Sequence, residues 1–309
     1  MAIQSSTEIT THETSAFSGA ESLTHGPRVH GRLRLRFEAR GADNQTILTE
    51  CEQHLPLRIV RAFRVDDDGA LVHLHNLSGG VLGGDRLDLT VEVGPRARAQ
   101  VTSTGATRIY RSRRNVEPAQ QSLQISVGDD GLVEYLPDQL IPFAGSRYHQ
   151  ETRIELGANS GLFWWETVAP GREARNEMFA YDLLQLKTWI SVLGQPIAIE
   201  LMRIEPPRRS ICSLARLGAY AYFSTFYICQ VGIKSSRWLE LERRLRELAE
   251  QLSRPSKTVW GVSPLRAHGV VVRALSVSSR EITKRLPDFW RVAKAFLYNR
   301  EAVLPRKVY

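Results

Sequence analysis

Length, composition and charge limit the classes of protein to which this sequence can belong. The chain has 309 residues, 42% of them hydrophobic, which allows a substantial core in one large or two ordinary domains and excludes a wholly disordered chain. The net charge is +8, and the excess is C-terminal, because residues 234–309 include 17 basic and 7 acidic side chains. Such a basic region is typical of binding to nucleic acid, an acidic protein or a membrane surface, or of a solvated helix face.

The N-terminal segment and the cysteines indicate where the protein works. Residues 1–30 are rich in Ser, Thr, Glu and Gly and lack a basic start and an apolar run, so we expect a disordered arm and no signal peptide. No Pro- or Ser-rich linker divides residues 31–309, which predicts a single domain. The three cysteines are too far apart for a disulfide framework or a thiolate zinc site and favour a cytoplasmic location: Cys51, Cys212 and Cys229. The longest uncharged run, 217–233, is too polar for a membrane span.

Strand-like alternation dominates the sequence from Arg32 to about Leu275. Leu87, Leu89, Val91 and Val93 alternate with polar residues, which predicts a half-buried strand. Segments of the same kind, separated by Gly, Asp and Pro turns, are 57–63, 70–75, 97–103, 122–127, 132–135, 153–156, 162–167 and 197–203. We therefore predict a mostly β protein, built as an antiparallel sandwich or a coil of sheets.

Two helices are expected near the C-terminus. Apolar residues spaced three and four apart predict an amphipathic helix between a Ser236 cap and Pro255: Trp238, Leu241, Leu245, Leu248 and Leu252. A second helix is predicted over 286–300, with Pro287 in its first turn. No repeat of a sequence unit is visible, so a solenoid built from one is not expected.

A glycine-rich segment precedes one of the predicted strands. Residues 77–87 (LSGGVLGGDRL) contain four glycines within six positions. A phosphate-binding loop would lead into a helix N-terminus and would often carry a lysine, whereas here a strand follows and Asp85 would repel a phosphate. We therefore interpret the segment as a tight connection between strands, with Asp85 held in the turn.

Candidate metal ligands are few. His73 and His75 lie two apart on a predicted strand and so share a face, where two imidazoles could bind nickel or zinc. No third Cys or His lies nearby in the sequence, and a polar strand face is the more common reason for such a pair. Both readings stay open.

Motifs of catalysis are missing from the sequence. Carboxylates near predicted strand ends, at Asp85, Glu134, Asp138, Glu166 and Glu177, have no spacing that identifies an acid–base pair. Neither a GxSxG elbow nor an HExxH helix occurs, so we predict that the protein is not an enzyme. The basic and aromatic run 108–114 could bind RNA or single-stranded DNA, or could simply be a strand end that enters a solvated loop.

The order of several motifs resembles the UreD family of urease accessory proteins, called UreH in some systems. The resemblance covers roughly residues 30–306 and leaves the N-terminal arm outside. It rests on these segments: LSGGVLGGDRL at 77–87, VTSTGATRIYRS at 101–112, LVEYLPDQLIPF at 132–143, Gln150 before a strand, GREARNE at 171–177, 270–275, FWR at 289–291 and LPR at 304–306. The predicted helix 238–252 matches only loosely.

The resemblance implies a fold and a function. The fold would be mostly β, with two layers of helically arranged sheets and about two helices. The function would be that of a non-enzymatic maturation factor, which binds apo-urease and, with UreF and the GTPase UreG, delivers nickel to the urease active site. Nickel would be carried transiently rather than as a tightly bound cofactor. The resemblance also implies that an internal water-filled passage could be its route. Neither nucleic acid nor a membrane would be a partner.

A transit route should offer weak ligands, because an ion held by several thiolates would not leave. We expect four carboxylates to approach the passage from separate strands: Asp85, Glu134, Glu166 and Glu177. Thr104, Tyr110 and Arg172 would fix the strand ends around it. In the alternative reading, Glu134 and Glu177 form structural ion pairs with arginines. A different class of function, a basic nucleic-acid-binding β module, also remains open.

Overall fold

The computed structural model describes residues 28–66 and 68–304. The predicted disordered arm, 1–30, therefore lies outside the described residues except for its last three, and the first strand begins at His30. The C-terminal residues 305–309 also lie outside, with most of the LPR motif.

Strands are the most common regular structure in the described chain. They are β1 His30–Arg40, β2 Gln45–His54, β3 Leu57–Arg58, β4 Ala62–Val65, β5 Gly69–Asn76, β6 Arg86–Val93, β7 Arg98–Ser103, β8 Thr107–Ile109, β9 Ala119–Val127, β10 Leu132–Tyr135, β11 Leu140–Pro142, β12 Arg147–Leu156, β13 Gly161–Val168, β14 Gly171–Arg172, β15 Glu177–Met178, β16 Leu183–Val192, β17 Gln195–Ile204, β18 Tyr222–Gln230, β19 Thr258–Pro264 and β20 Gly269–Ser276. The helices are α1 Ser235–Leu252 and α2 Ser279–Tyr298, with a short 3₁₀ turn at Glu173–Arg175. The mostly β prediction is confirmed.

Two sheets form the body of the molecule. The seven-stranded sheet has the order β17-β16-β12-β9-β6-β1-β2, and the large sheet runs β19-β20-β18-β13-β10-β7-β5-β3, with β4, β8 and β11 attached. From β5 to β13 the chain crosses repeatedly between the two sheets, and each return places a strand parallel to the previous one in the same sheet. This winding confirms the two-layer, helical arrangement.

The antiparallel sandwich that the alternation suggested is wrong for the centre of both sheets. Strands β1, β6, β9, β12 and β16 pair in parallel, and antiparallel pairs occur mainly toward the sheet edges. Alternation reports only that one face of a sheet is solvated, and the seven-stranded sheet has such a face although its strands are parallel. The predicted strand 57–63 is likewise two short strands, β3 and β4.

The described residues form three apolar clusters, and two of them hold the layers together. The first fills the space between the sheets and includes Leu35, Val91, Ile125, Val133 and Trp164. The second lies between the large sheet and the two helices and includes Phe163, Phe226, Leu245, Phe289 and Trp290. The large sheet is therefore buried on both faces, and the seven-stranded sheet on one.

Both predicted helices are present, with different starts. The N-cap of α1 is Lys234, so Ser236 lies inside the helix and does not cap it. The predicted start of α2 was wrong, because the helix begins at Ser279 and Pro287 lies in its interior. Ile282 is fully buried, and packing of this upstream turn keeps the helix continuous through a proline that lacks one hydrogen-bond donor.

Candidate functional site

The glycine-rich connection forms the wall of a cavity at one end of the two sheets. A Cβ on Gly80 would lie 2.4 Å from Cε2 of Tyr110 and 2.7 Å from the carbonyl oxygen of Arg108, so only glycine fits this close approach. The carboxylate of Asp85 is buried and accepts hydrogen bonds from the backbone N–H groups of Leu82 (2.9 Å) and Val29 (3.2 Å). Asp85 therefore fixes the turn, as the sequence indicated.

The cavity reaches from this connection into the space between the sheets. Its volume is ≈ 260 Å³, and Gly79, Gly80 and Thr104 line it near the surface. Leu33 and Leu89 of the seven-stranded sheet line it farther in, with Gln121 and Tyr135. Polar side chains thus enter an interior that is otherwise apolar.

A chain of hydrogen bonds continues inward from Gln121. The hydroxyl of Tyr148 lies 2.9 Å from Oε1 of Gln121 and 3.1 Å from Oε1 of Gln150. The side-chain amide of Gln150 donates to Oε1 of Glu166. These residues come from β9, β12 and β13, so the chain crosses from one sheet to the other.

A second group of polar side chains lies toward the edge of the sheets. Glu200 of β17 influences Glu166 electrostatically, accepts a hydrogen bond from the hydroxyl of Tyr227 and forms an ion pair with Arg273 at 3.1 Å. Glu200 and Arg273 line an open groove at the edge of the sheets. We call the series Gln121, Tyr148, Gln150, Glu166, Tyr227 and Glu200 the polar tract.

The alternation of β13 explains why Glu166 faces inward. Leu162 and Trp164 belong to the core between the sheets, whereas Phe163 and Trp165 face the helices. Successive side chains of a strand point to opposite faces, so Glu166 follows Trp164 into the space between the sheets.

Burial sets the charge of the tract. It raises the pKa of Glu166 to about 7, against the lowering effect of the hydrogen bond from Gln150 and with a smaller raising effect from the Glu200 carboxylate. Burial, and then the neighbouring Glu166, also raise the pKa of the Tyr135 and Tyr148 hydroxyls. The tyrosines are therefore neutral at physiological pH, while the Glu166 carboxyl titrates near neutrality.

Glu134 lies on the opposite face of the large sheet. Its carboxylate accepts a hydrogen bond from Nε1 of Trp290 at 3.0 Å and lies 3.2 Å from Nζ of Lys294, both on α2. Burial raises the pKa of Glu134, and the charge of Lys294 opposes that effect. The structure therefore does not bring Glu134 together with Glu166, and its ion-pair partner is a lysine rather than an arginine.

Glu177 forms the arginine pair that the alternative reading expected. Its carboxylate receives two hydrogen bonds from the guanidinium of Arg172, one of them 2.8 Å long, and one from the backbone N–H of Ala144. The guanidinium lies 4.2 Å from the centre of the Phe143 ring, whose edge meets Tyr110. This cluster joins the strand ends below the glycine-rich connection, the position expected of Tyr110 and Arg172.

The two histidines of β5 have separate contacts. His73 meets Phe63 edge to face at 5.7 Å, and Nδ1 of His75 lies 3.4 Å from the hydroxyl of Thr104. Thr104 also donates to the carbonyl oxygen of Leu74. In the part of the chain that the structure describes, no group of three or more His, Cys, Asp or Glu side chains is placed to hold a metal ion.

Comparison with known proteins decides the family. A model of the family described as UreD urease accessory protein matches residues 29–309. This chain belongs to the UreD family of urease accessory proteins. Among its relatives, the urease accessory protein UreD of Herpetosiphon aurantiacus is 43% identical over 289 residues, which are 94% of this chain and 100% of the relative. Those of Pseudomonas fluorescens and Alcanivorax borkumensis are 30% and 27% identical, over 91% and 90% of this chain and 95% and 90% of theirs.

Membership of the UreD family gives the protein a role in urease maturation and in the urease machinery. Its relatives are named as accessory proteins, as expected for a chain without catalytic motifs. Of the helices that the structure describes, neither is long and apolar enough to cross a membrane.

Most of the polar tract escaped sequence reasoning. Tyr148, Gln150 and Thr152 alternate in register with Ile154 and Leu156, which belong to the core between the sheets. The available signal was that these polar residues continue the alternation of the predicted strand 153–156 toward its N-terminus. Glu200 and Tyr227 meet only through the fold, and nothing in their sequence spacing connects them.

Proposed function

We propose that this protein binds apo-urease together with UreF and the GTPase UreG in the cytoplasm and helps to deliver nickel to the urease active site. The ion passes through the protein along the polar tract. The observation that supports this route is the set of polar side chains around Glu166, which lies between a cavity at one end of the sheets and a groove at their edge.

The chemistry of the tract suits a cargo ion that must leave again. Its inward groups are carboxylate, amide and hydroxyl oxygens, which bind a borderline metal ion less tightly than thiolates do. The ionised form of Glu166 would attract the cation, and its protonated form would release it. The protein acts as a scaffold and a conduit rather than as an enzyme, and no tightly bound cofactor is required.

The four expected carboxylates take different parts in this proposal. Glu166 lies on the route. Asp85 holds the turn beside the entrance cavity, and Glu177 braces the strand ends below it. Glu134 accepts a hydrogen bond from Trp290 of α2, on the face of the large sheet opposite the route. His73 and His75 remain weak alternative ligands near the entrance, where His75 lines the cavity.

Replacement of Glu166 by glutamine tests the route. In cells that express the urease subunits and the other accessory proteins, E166Q should lower the nickel content of urease on the order of tenfold, the scale at which loss of a metal-orienting group acts. The matched control is E247Q on α1, where Glu247 is exposed and pairs with Arg243. The readouts are nickel per urease by mass spectrometry and the amount of accessory complex that co-purifies.

Unchanged nickel content in E166Q would overturn the route through the tract, even if the protein still co-purified with urease. Loss of co-purification in E166Q would indicate a folding or assembly defect, and E166D would then separate the two effects because it retains the carboxylate. Failure of the wild-type chain to co-purify with apo-urease, UreF or UreG would overturn the proposed partners.

The alternative function, binding of nucleic acid, would require a surface with unpaired positive charge. Helix α1 carries no net charge, because its four arginines are balanced by four glutamates, and Arg243, Arg244 and Arg246 each form an ion pair with a glutamate on the same helix. The proposal therefore excludes nucleic acid as a partner. A salt-sensitive shift of a short RNA or DNA duplex by nuclease-treated protein would contradict it.

A further inference from the structure

Strand β17 forms one edge of the seven-stranded sheet, and among the described residues it pairs only with β16. Five consecutive residues of this strand, 200–204, line a groove of ≈ 440 Å³. Since successive side chains point to opposite faces, five in a row can line one groove only if it runs along the backbone edge. The hydrogen-bonding edge of β17 therefore faces open space.

The opposite wall of the groove is largely apolar. Ile211, Leu217, Phe223 and Leu275 line it, and Met202 of β17 completes the apolar lining. A strand added beside β17 would direct every second side chain into this space. Aliphatic side chains of moderate size would be favoured at those positions.

The solvent face of β17 is apolar as well. Ile199 is 61% exposed and Leu201 is 63% exposed. Trp189 of β16 lies directly across from Ile199, and its ring also meets the guanidinium of Arg153 at 5.0 Å. An edge strand that is long, unpaired and apolar is a template for pairing with another extended segment.

Charge selects the kind of segment. Lys187 lies directly across from Leu201, and Arg203, which forms an ion pair with Glu205 at 2.9 Å, follows two residues later on the same face. The pKa of His149 on the neighbouring strand β12 is lowered by burial and then by the charges of Arg203, Arg147 and Lys187, which shows a positive potential on this face. A second copy of the chain would bring the same positive charges, so an acidic segment is the better complement.

We propose that β17 is a docking strand, to which an extended, acidic segment of a partner protein adds edge to edge. Its inward side chains are aliphatic and fill the groove, and its outward side chains combine an aliphatic contact to Ile199 and Leu201 with carboxylates near Lys187 and Arg203. Main-chain hydrogen bonds supply affinity, and the alternate side chains supply selectivity. The segment would occupy the groove at one end of the proposed ion route, and its binding can be measured without nickel.

A labelled peptide tests this recognition with the full-length chain. The probe is fluorescein-Glu-Val-Glu-Val-Ile-Val-Glu-Val, and its fluorescence anisotropy is followed as protein is added. We expect saturable binding that weakens about tenfold or more in L201E, a loss of at least about 1.4 kcal/mol. The matched control is L239E on α1, where Leu239 is 67% exposed, and its binding should equal that of the wild type. Circular dichroism confirms that both variants are folded.

Two further peptides separate strand addition from simple adhesion. The version with lysine in place of each glutamate, and the version N-methylated at every backbone amide, should both bind about tenfold or more weakly. Absence of saturable binding by the first probe, equal binding of the N-methylated peptide, or an unchanged affinity in L201E would overturn the proposal. Analytical ultracentrifugation could show instead that the wild type is a dimer and that L201E is a monomer. That result would also overturn the proposal, because it would assign the edge to self-association.

Discussion

Gly80 occupies a position in the cavity wall where a larger side chain does not fit. A methyl group there would overlap the Tyr110 ring and the Arg108 carbonyl oxygen, so G80A should lower the free energy of unfolding by about 1–3 kcal/mol. Urea denaturation measures the change. The control is G105A in the neighbouring loop, where no atom lies within 4 Å of the added Cβ and the loss should be small. Equal losses in the two variants would show that the close packing around Gly80 does not constrain the fold.

Glu166 couples stability to pH. Its pKa is about 7 in the folded protein, above the ordinary value of 4.5, so the proton stabilises the folded state below about pH 4.5 and that contribution is lost as the pH rises through 7. Between pH 5 and pH 8 the wild type should therefore lose more stability than E166Q, by up to about 3 kcal/mol. Urea denaturation at the two pH values measures the difference.

The control for this pH effect is E177Q, because the ion pair with Arg172 lowers the pKa of Glu177 and removes its titration from this range. E177Q should keep the wild-type difference between pH 5 and pH 8. A parallel pH dependence in E166Q and the wild type would show that Glu166 does not titrate near neutrality.

Sequence reasoning at the residue scale succeeded where the cause was local. Asp85 was expected to hold a turn, because glycines surrounded it and a strand followed, and its carboxylate accepts two backbone hydrogen bonds there. The groups that influence Glu134 and Glu166 lie on distant parts of the chain. Lys294 pairs with Glu134, and Glu200 acts electrostatically on Glu166. Their environments depended on which face of β10 and β13 met the helices, and that required the fold.

At the scale of elements, a buried ionic contact fastens helix α2 to the large sheet. Nζ of Lys294 lies 3.0 Å from Oδ2 of Asp66 and 3.2 Å from Oε1 of Glu134, and its side chain is 2% exposed. K294M leaves the Glu134 carboxylate buried without its cation and should cost about 3–5 kcal/mol in urea denaturation. The exposed Lys284 on the same helix supplies the control K284M, which should change little.

A double-mutant cycle identifies the source of that loss. If an uncompensated charge causes it, E134Q combined with K294M should be less destabilised than the sum of the single variants. Strict additivity would instead assign the loss to packing of the long lysine side chain.

The positions of strands were easier to predict than their partners. The alternation of β6 placed Leu87, Leu89, Val91 and Val93 on the buried face, as the structure confirms. The same alternation fits a parallel or an antiparallel neighbour when one face is solvated, so the pairing could not be derived from it. The predicted start of α2 was wrong for a similar reason. Proline is common in the first turn of a helix, but here tertiary packing continues the helix upstream of Pro287.

At the scale of the whole molecule, the layers predict a gradient of local stability. The large sheet is covered on both faces, whereas β2 is an edge strand whose C-terminal half is exposed. Amide hydrogen exchange followed by mass spectrometry should therefore be slowest in β10 and β13 and fastest among the strands in β2. Exchange that is as slow in β2 as in β13 would contradict this distribution of burial.

The crossing path of the chain restricts how the interior can change. Because the chain from β5 to β13 returns repeatedly to each sheet, the loops that cross between the sheets connect one layer to the other. Separation of the two layers would require these crossing connections to unwind. Rearrangement around Glu166 would therefore change the rotamers of side chains such as Tyr148 and Gln150 rather than the separation of the two layers.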